Sequence, residues 1–307
     1  MYGYAAQALG ERLRRPRGDR PVVLEGVTLI DGTGAPSRRA SLVLHGDRID
    51  RVVDAGADLG LPAEPAPERI EAQGRFVTPG LIDCHVHLTG AEGRDPFRRN
   101  IEPYPSVRLV RATRDAHRVL AAGFTTVRHL GHGDADQTQA LKEAIAKGVV
   151  AGPRMLTSGW AISQTGGHGN LRAWPYHLVE ELRPRSAFCD GPDECRKFVR
   201  RLLGDGADCI KIYTTEGVIG SPDRQLDIPN FTLPEIEAMT DEAHRRGARV
   251  AAHATALVGA RNAVIGGVDT LEHGPHAPDE ELLRLMKANG TVFVPTLSVF
   301  ELSLIHI

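Results

Sequence analysis

The stretch TPGLIDCHVHL, residues 78–88, joins a turn to a short apolar segment that carries two histidines. The residues Thr78-Pro79-Gly80 end the preceding segment, and 81–88 is predicted to be a strand. Because side chains alternate along a strand, His85 and His87 point to the same side. Two imidazoles that converge from one strand are typical ligands of a divalent metal, although a pair of hydrogen-bonded core histidines would give the same pattern.

Downstream of this stretch, apolar strands alternate with amphipathic helices that end at glycines. The sequence predicts strands at 81–88, 125–130, 154–158, 209–214, 249–254, 270–273 and 291–296. It predicts helices at 107–122, 137–147, 233–246 and 278–289. Such alternation implies an α/β fold with a parallel sheet and right-handed crossovers. Polar residues at the ends of so many strands favour a (β/α)₈ TIM-type barrel over a doubly wound sheet.

The residues before the barrel follow a different pattern. Apolar, β-branched segments at 22–30 and 41–45 predict strands, and His45-Gly46-Asp47-Arg48 predicts a turn. We therefore predict a small antiparallel β unit at 21–78, which the family resemblance described below implies to be part of a β-sandwich, preceded by a flexible arm at 1–20. The barrel is predicted at 79–301 and is expected to be truncated after about seven of its eight strands. The last residues, 302–307, are expected to be a non-native tail.

Composition excludes several classes of partner. The 307 residues include 37 basic and 39 acidic side chains, a formal charge of -2 that favours neither nucleic acid nor an acidic membrane. The four cysteines form no CxxC pair and are predicted to be reduced thiols of a cytoplasmic protein. No apolar run approaches the ~20 residues of a membrane span. The expected partners are a small-molecule substrate and, in a homo-oligomer, further copies of the chain.

Lys211 lies between Ile210 and Ile212 on a strand that is predicted to be buried on both faces. A buried lysine has to reach water, pair with an acid or lose its charge. Pairing with a barrel acid such as Asp83 is one solution. Carbamylation by CO₂ is another, since it turns the amine into a carboxylate that can bridge two metal ions.

His253 and His273 each stand at the end of a predicted strand. Either residue alone would be interpreted as a core or rim histidine. Together with His85, His87 and Lys211, they place five candidate ligands on the ends of four strands. That combination indicates a metal site.

Other candidates lie near the same strand ends. His168 belongs to a long loop at 159–192, and loops of that size within a barrel are usually functional. It is predicted either to contact the substrate or to be a surface histidine. His129 and His132 are weaker candidates. Glu272 is predicted to orient a helix or a neighbouring histidine rather than to act as a base.

These motifs together resemble the amidohydrolase superfamily. The resemblance rests on TPGLIDCHVHL, a lysine on the fourth strand, HA at the fifth and EHG at the sixth. It is closest to the imidazolonepropionase-like branch of metal-dependent hydrolases, which includes Xaa-Pro dipeptidases. Further segments that resemble this branch are TGGHG at 165–169, SPDRQLDIPNFT at 221–232, DEAHRRGARVAAHA at 241–254 and GVDTLEHG at 267–274.

The resemblance implies a ligand set for two divalent metal ions. His85 and His87 would bind one ion. His253 and His273 would bind the second. A carbamylated Lys211 would bridge the two ions, and zinc is the expected metal.

The resemblance also implies hydrolysis of an amide or peptide bond, in a dipeptide or N-acyl amino acid, by a metal-bridging hydroxide. His168 and Tyr213 would bind the substrate. The general-base Asp of the family's eighth strand is expected beyond the C-terminus, so this chain alone is expected to be inactive. The alternatives are a mononuclear cyclic-amide hydrolase or deaminase, and a metal-binding but inactive fragment. The residues Tyr213-Thr214-Thr215-Glu216 replace the Gly-richer stretch that the family would have after Lys211.

Overall fold

A computed structural model of the protein describes most of the chain, in the ranges 20–61, 64–89, 104, 106–131, 135–169, 188–216, 228–275 and 277–298. The chain divides into two units between Leu81 and Ile82. The predicted arm at 1–20 lies outside the described residues except for Arg20, whose Nε donates to the Ala66 carbonyl at 2.6 Å. The predicted tail at 302–307 also lies outside them.

The first unit contains one mixed sheet. Its strands are β1 (Val22–Leu29), β2 (Arg38–His45), β3 (Arg48–Asp54), β4 (Glu68–Glu71) and β5 (Phe76–Val77). Strands β2 and β3 form the predicted hairpin, and Gly46 takes the left-handed φ of 59° that this tight turn requires. Strand β1 pairs in parallel with β4 and β5, so the prediction of a purely antiparallel unit is wrong. No second sheet of a sandwich is among the described residues of this unit.

The second unit contains every strand predicted for the barrel. They are β6 (Leu81–Val86), β7 (Phe124–His129), β8 (Arg154–Thr157), β10 (Cys209–Tyr213), β11 (Arg249–Ala254), β12 (Thr270–His273) and β13 (Val292–Val294). A short strand β9 (Ala161–Ile162) was not predicted. The strands lie in chain order in two sheets, β6-β7-β8 and β9 to β13. Parallel pairing is confirmed from β9 to β13 and between β7 and β8, but the described strands do not close into one ring.

Helices connect these strands. They are α1 (Ser106–Ala121), α2 (Ala135–Ala146), α3 (Pro192–Gly204), α4 (Leu233–Arg245), α5 (Leu257–Ile265) and α6 (Glu280–Asn289). Four agree with the predictions at both ends to within about two residues. Helix α4 begins with the predicted capping box, in which the Thr232 N–H donates to the Glu235 carboxylate at 2.6 Å. Helices α3 and α5 were missed. Among the described helices, none combines the length and the apolar character of a membrane span.

The two faces of β10 decide where the site lies. Ile210 and Ile212 are fully buried in the apolar cluster that the strands share with helices α3 and α4. Cys209, on the opposite face, packs with Ala251 of the adjacent strand β11 and with Leu130, which follows β7. Because side chains alternate, Lys211 lies on the face of Cys209. Its side chain therefore points away from the helices and toward the inner side of the sheet.

Candidate active site

The predicted histidines form a continuous row at the strand ends. The ring centroids of His87 and His85 are 5.0 Å apart, and those of His85 and His273 are 4.7 Å apart. The row continues from His273 to His253 at 4.8 Å. Strands β6, β11 and β12, which are distant in sequence, thus place their histidines in contact.

The predicted substrate residues extend this row. His168 lies 4.4 Å from His253 between ring centroids. It stacks on Tyr213 at 4.1 Å with an interplanar angle of 19°. Burial raises the pKa of Tyr213 to about 12, so its phenol keeps its proton at neutral pH and can donate a hydrogen bond. The stacked pair forms one wall beside the histidines.

His85 and His87 approach each other through their Nε2 atoms, which are 3.2 Å apart. The Nδ1 atom of His85 lies 2.7 Å from Oε2 of Glu272, and Nδ1 of His87 lies 2.9 Å from the Gly131 carbonyl oxygen. Carboxylate and carbonyl oxygens only accept hydrogen bonds, so each Nδ1 is the donor to its oxygen. The two Nε2 atoms then face each other, and the position between them suits a shared proton or a metal ion.

Lys211 is buried, and its amine has no hydrogen-bond partner among the described residues. Its side chain is 1% exposed, and Nζ makes no hydrogen bond to any described residue. Burial is the main cause that lowers its pKa to about 8, and Glu272 opposes that shift. Asp83, the acid considered as its partner, instead accepts the backbone N–H of His85 at 3.0 Å. The ion pair with Asp83 is therefore absent from the described contacts.

The rings of His253 and His273 each contact a polar group of the chain. Nε2 of His253 lies 3.4 Å from the Glu216 carbonyl oxygen, and Nδ1 of His273 lies 2.7 Å from Oγ1 of Thr296. Burial lowers the pKa of both rings, that of His273 to about 3. The backbone of His273 has a φ of 71°, a left-handed conformation that is strained for a residue with a side chain and is found disproportionately at functional sites.

Of two charged residues that lie beside the row of histidines, one was considered in the sequence analysis and the other was not. Glu272 accepts from Nδ1 of His85, the contact that a glutamate orienting a neighbouring histidine would make. Arg128, on β7, donates to the other oxygen of Glu272 at 2.8 Å, and sequence reasoning missed it. Its only signal is a charged residue inside a predicted strand. His129 is buried and lies 3.2 Å from Oγ1 of Thr89, whereas His132 lies outside the described residues.

The histidine and lysine side chains meet some requirements of a divalent-ion site and not others. Within the described ranges, no group of three or more His, Cys, Asp and Glu side chains is arranged to hold an ion. The facing Nε2 atoms of His85 and His87 nevertheless match imidazole ligation, and the buried amine of Lys211 has no hydrogen-bond partner among the described residues. All four cysteines are free, as predicted.

Comparison with known proteins agrees with these motifs. The amidohydrolase family matches residues 76–306. Ochratoxinase of Aspergillus niger is 32% identical over 293 residues, which cover 90% of this chain and 58% of that protein. Imidazolonepropionase of Acidiphilium cryptum (strain JF-5) is 28% identical over 286 residues, 85% of this chain and 67% of that protein.

A solved structure extends the likeness to three dimensions. It is a Xaa-Pro dipeptidase with methionine bound in the active site, and it superposes with a TM-score of 0.76 at 32% identity. The match covers 91% of this chain and 67% of that one. The chain thus spans between about half and two thirds of the length of these relatives. On the family match and these likenesses, the chain belongs to the amidohydrolase family.

Proposed function

We propose that the protein is a metal-dependent hydrolase of an amide or peptide bond, with a dipeptide or an N-acyl amino acid as substrate. The observation that carries the proposal is the 3.2 Å approach of two Nε2 atoms whose partner nitrogens already donate to oxygen. Two Nε2 atoms at that distance have to share a proton or a metal ion, since two bare lone pairs would repel each other. The dipeptidase relative holds a free amino acid in its active site, which supports a substrate that releases one.

The residues present would hold two divalent ions, and zinc suits imidazole and carboxylate donors. One ion would be held by His85 and His87, and the other by His253 and His273. The ammonium of Lys211 first loses a proton, and the neutral amine then adds to CO₂ and releases a second proton. The charge of the side chain thereby changes from +1 to -1, and its new carboxylate would serve both sites. When bound, the ions supply a hydroxide nucleophile near neutral pH and polarise the scissile carbonyl.

The chain's own groups prepare the site for that chemistry. The Gly131 carbonyl and the Glu272 carboxylate fix the Nδ1 protons of the first two histidines. The Thr296 hydroxyl holds Nδ1 of His273 in the same way. These contacts leave each Nε2 available and limit rotation of the rings, so that less conformational freedom is lost when ligand and substrate bind.

Tyr213 and His168 would bind the substrate rather than take part in bond cleavage. We expect Tyr213→Phe to raise KM about tenfold with little change in kcat, because it removes one hydrogen bond that substrate and transition state share. Steady-state kinetics of the full-length protein with a dipeptide and an N-acyl amino acid would measure this. An unchanged KM for both substrates would remove Tyr213 from the binding site.

The reaction itself can be tested on the full-length protein with Xaa-Pro dipeptides, N-acyl amino acids and a cyclic amide. We expect hydrolysis of the first two classes, loss of activity on dialysis against a chelator, and its return with Zn²⁺. Activity that survives complete metal removal would contradict the proposal. Turnover of only the cyclic amide would favour the mononuclear alternative.

A further inference from the structure

A buried carboxylate links three strands of the second unit behind His85. Glu272 of β12 is fully buried, and its two oxygens have separate partners. Oε2 faces Nδ1 of His85 on β6 at 2.7 Å. Oε1 accepts from Nη2 of Arg128 on β7 at 2.8 Å and from Oγ1 of Thr270 at 2.5 Å. Strands β6 and β7 belong to one sheet and β12 to the other, so this contact also joins the two sheets.

Arg128 is itself held in place at every nitrogen. Its Nε donates to the Cys84 carbonyl oxygen at 2.8 Å, next to His85 in sequence. Its Nη1 donates to Oγ1 of Thr270 at 3.2 Å. The planar guanidinium therefore has one orientation, and it offers a fixed donor to Oε1 of Glu272. Arg128 also supplies the positively charged partner that a buried carboxylate requires.

We infer that Arg128 and Glu272 are positioning residues that set the proton on Nδ1 of His85 and so direct its Nε2 toward the metal. The metal part of this inference rests on the proposed function. The proton part does not, because it follows from the contacts of the metal-free chain. Arg128 acts only through Glu272 and touches neither the histidine ring nor the substrate in the described contacts.

The substitution Glu272→Gln distinguishes a glutamate that positions the ring of His85 from one that only forms an ion pair with Arg128. The new amide has one oxygen, and Arg128 and Thr270 both require an acceptor at the Oε1 position. The amide NH₂ then faces Nδ1 of His85, which has to accept. The proton of the neutral ring moves to Nε2, the atom needed by the metal.

The experiment uses the chain with ¹⁵N-labelled histidine and reads the protonated nitrogen of His85 by NMR in the metal-free protein. A titration with Co²⁺ gives metal affinity on the same samples. The variants are Glu272→Gln and the double variant Glu272→Gln/Arg128→Met. Glu242→Gln is the matched control, since Glu242 of α4 is a similarly buried glutamate that pairs with Arg200 of α3.

We expect a proton on Nδ1 in the wild type and in the control, and on Nε2 in Glu272→Gln. Co²⁺ affinity should fall about 10–100-fold in Glu272→Gln and stay unchanged in the control. The double variant should return the proton to Nδ1, because without Arg128 the amide can turn its oxygen to His85. A purely structural ion pair would leave the proton on Nδ1 in all variants, and that result would overturn the inference.

Two further outcomes are distinguishable. If the wild type shows the Nδ1 proton but binds no Co²⁺, the proposed function fails and the proton assignment is retained. If Glu272→Gln does not fold, Glu272→Asp makes the same test, because its shorter side chain cannot reach both Arg128 and His85. Wild-type Co²⁺ affinity in a folded Glu272→Asp protein would then contradict the positioning role.

Discussion

Lys211→Ala is expected to remove bound metal and activity together from the full-length protein. The carbamylated side chain would supply the one negative charge shared by two dications, and without it their repulsion is uncompensated. We expect activity to fall about 1,000-fold or more, which corresponds to about 4 kcal/mol of transition-state stabilisation. Metal analysis and kinetics on the same preparation would measure both losses.

Two controls separate carbamylation from a packing defect. Acetate or propionate should restore part of the activity of Lys211→Ala by placing a carboxylate in the gap. Lys211→Arg should not restore it, because a guanidinium cannot be carbamylated and stays positive. If Lys211→Arg kept both metals and near-normal turnover, Lys211 would be a structural cation, and the mononuclear alternative would explain the site better.

Gly259→Ala is expected to cause a large loss of stability in the second unit. A Cβ at this position of α5 would lie 2.3 Å from the Thr214 carbonyl oxygen and 2.2 Å from Cγ2 of Thr215. Helix and strand have to separate, at a cost of about 1–3 kcal/mol or more. The gain of about 1 kcal/mol in helix propensity offsets only part of that cost. Thermal unfolding followed by circular dichroism would show a lower melting temperature.

Gly204→Ala provides the matched control for this change. Gly204 is the exposed last residue of α3, and a Cβ there would meet nothing within 4 Å. The same substitution should therefore leave stability unchanged or raise it slightly. Equal melting temperatures for the two variants would show that α5 does not pack against Thr214 as described.

The strands of the second unit could be predicted from the sequence because their signals are local. β11 and β12 have the predicted bounds, since each begins two or three residues after a glycine and has a histidine at or beside its last position. Helix α5 has no such signal. It spans only nine residues, and Gly259 in its interior lowers its helix propensity. Its packing against Thr214 favours a glycine there despite that loss.

The residues of the candidate site also fall into those with a local sequence signal and those without one. His85 and His87 could be predicted because they lie two residues apart in one extended segment, and this spacing places both side chains on the same side of the chain. The role of Arg128 could not be predicted, because no local sequence pattern indicates that its partner is Glu272, which is 144 residues away. The parallel pairing of β1 with β4 was missed for the same reason, since long-range partners carry no local pattern.

The metal content of the purified chain tests the central claim most directly. The chain would be saturated with Zn²⁺, passed through a desalting column and analysed by inductively coupled plasma mass spectrometry against a quantified protein concentration. We predict about two ions per chain, the number that a carbamylated Lys211 would bridge. His45→Asn, at an exposed turn of the first unit, should bind the same number. A chain that retains one ion would contradict the binuclear site, and a chain that retains none would contradict metal dependence altogether.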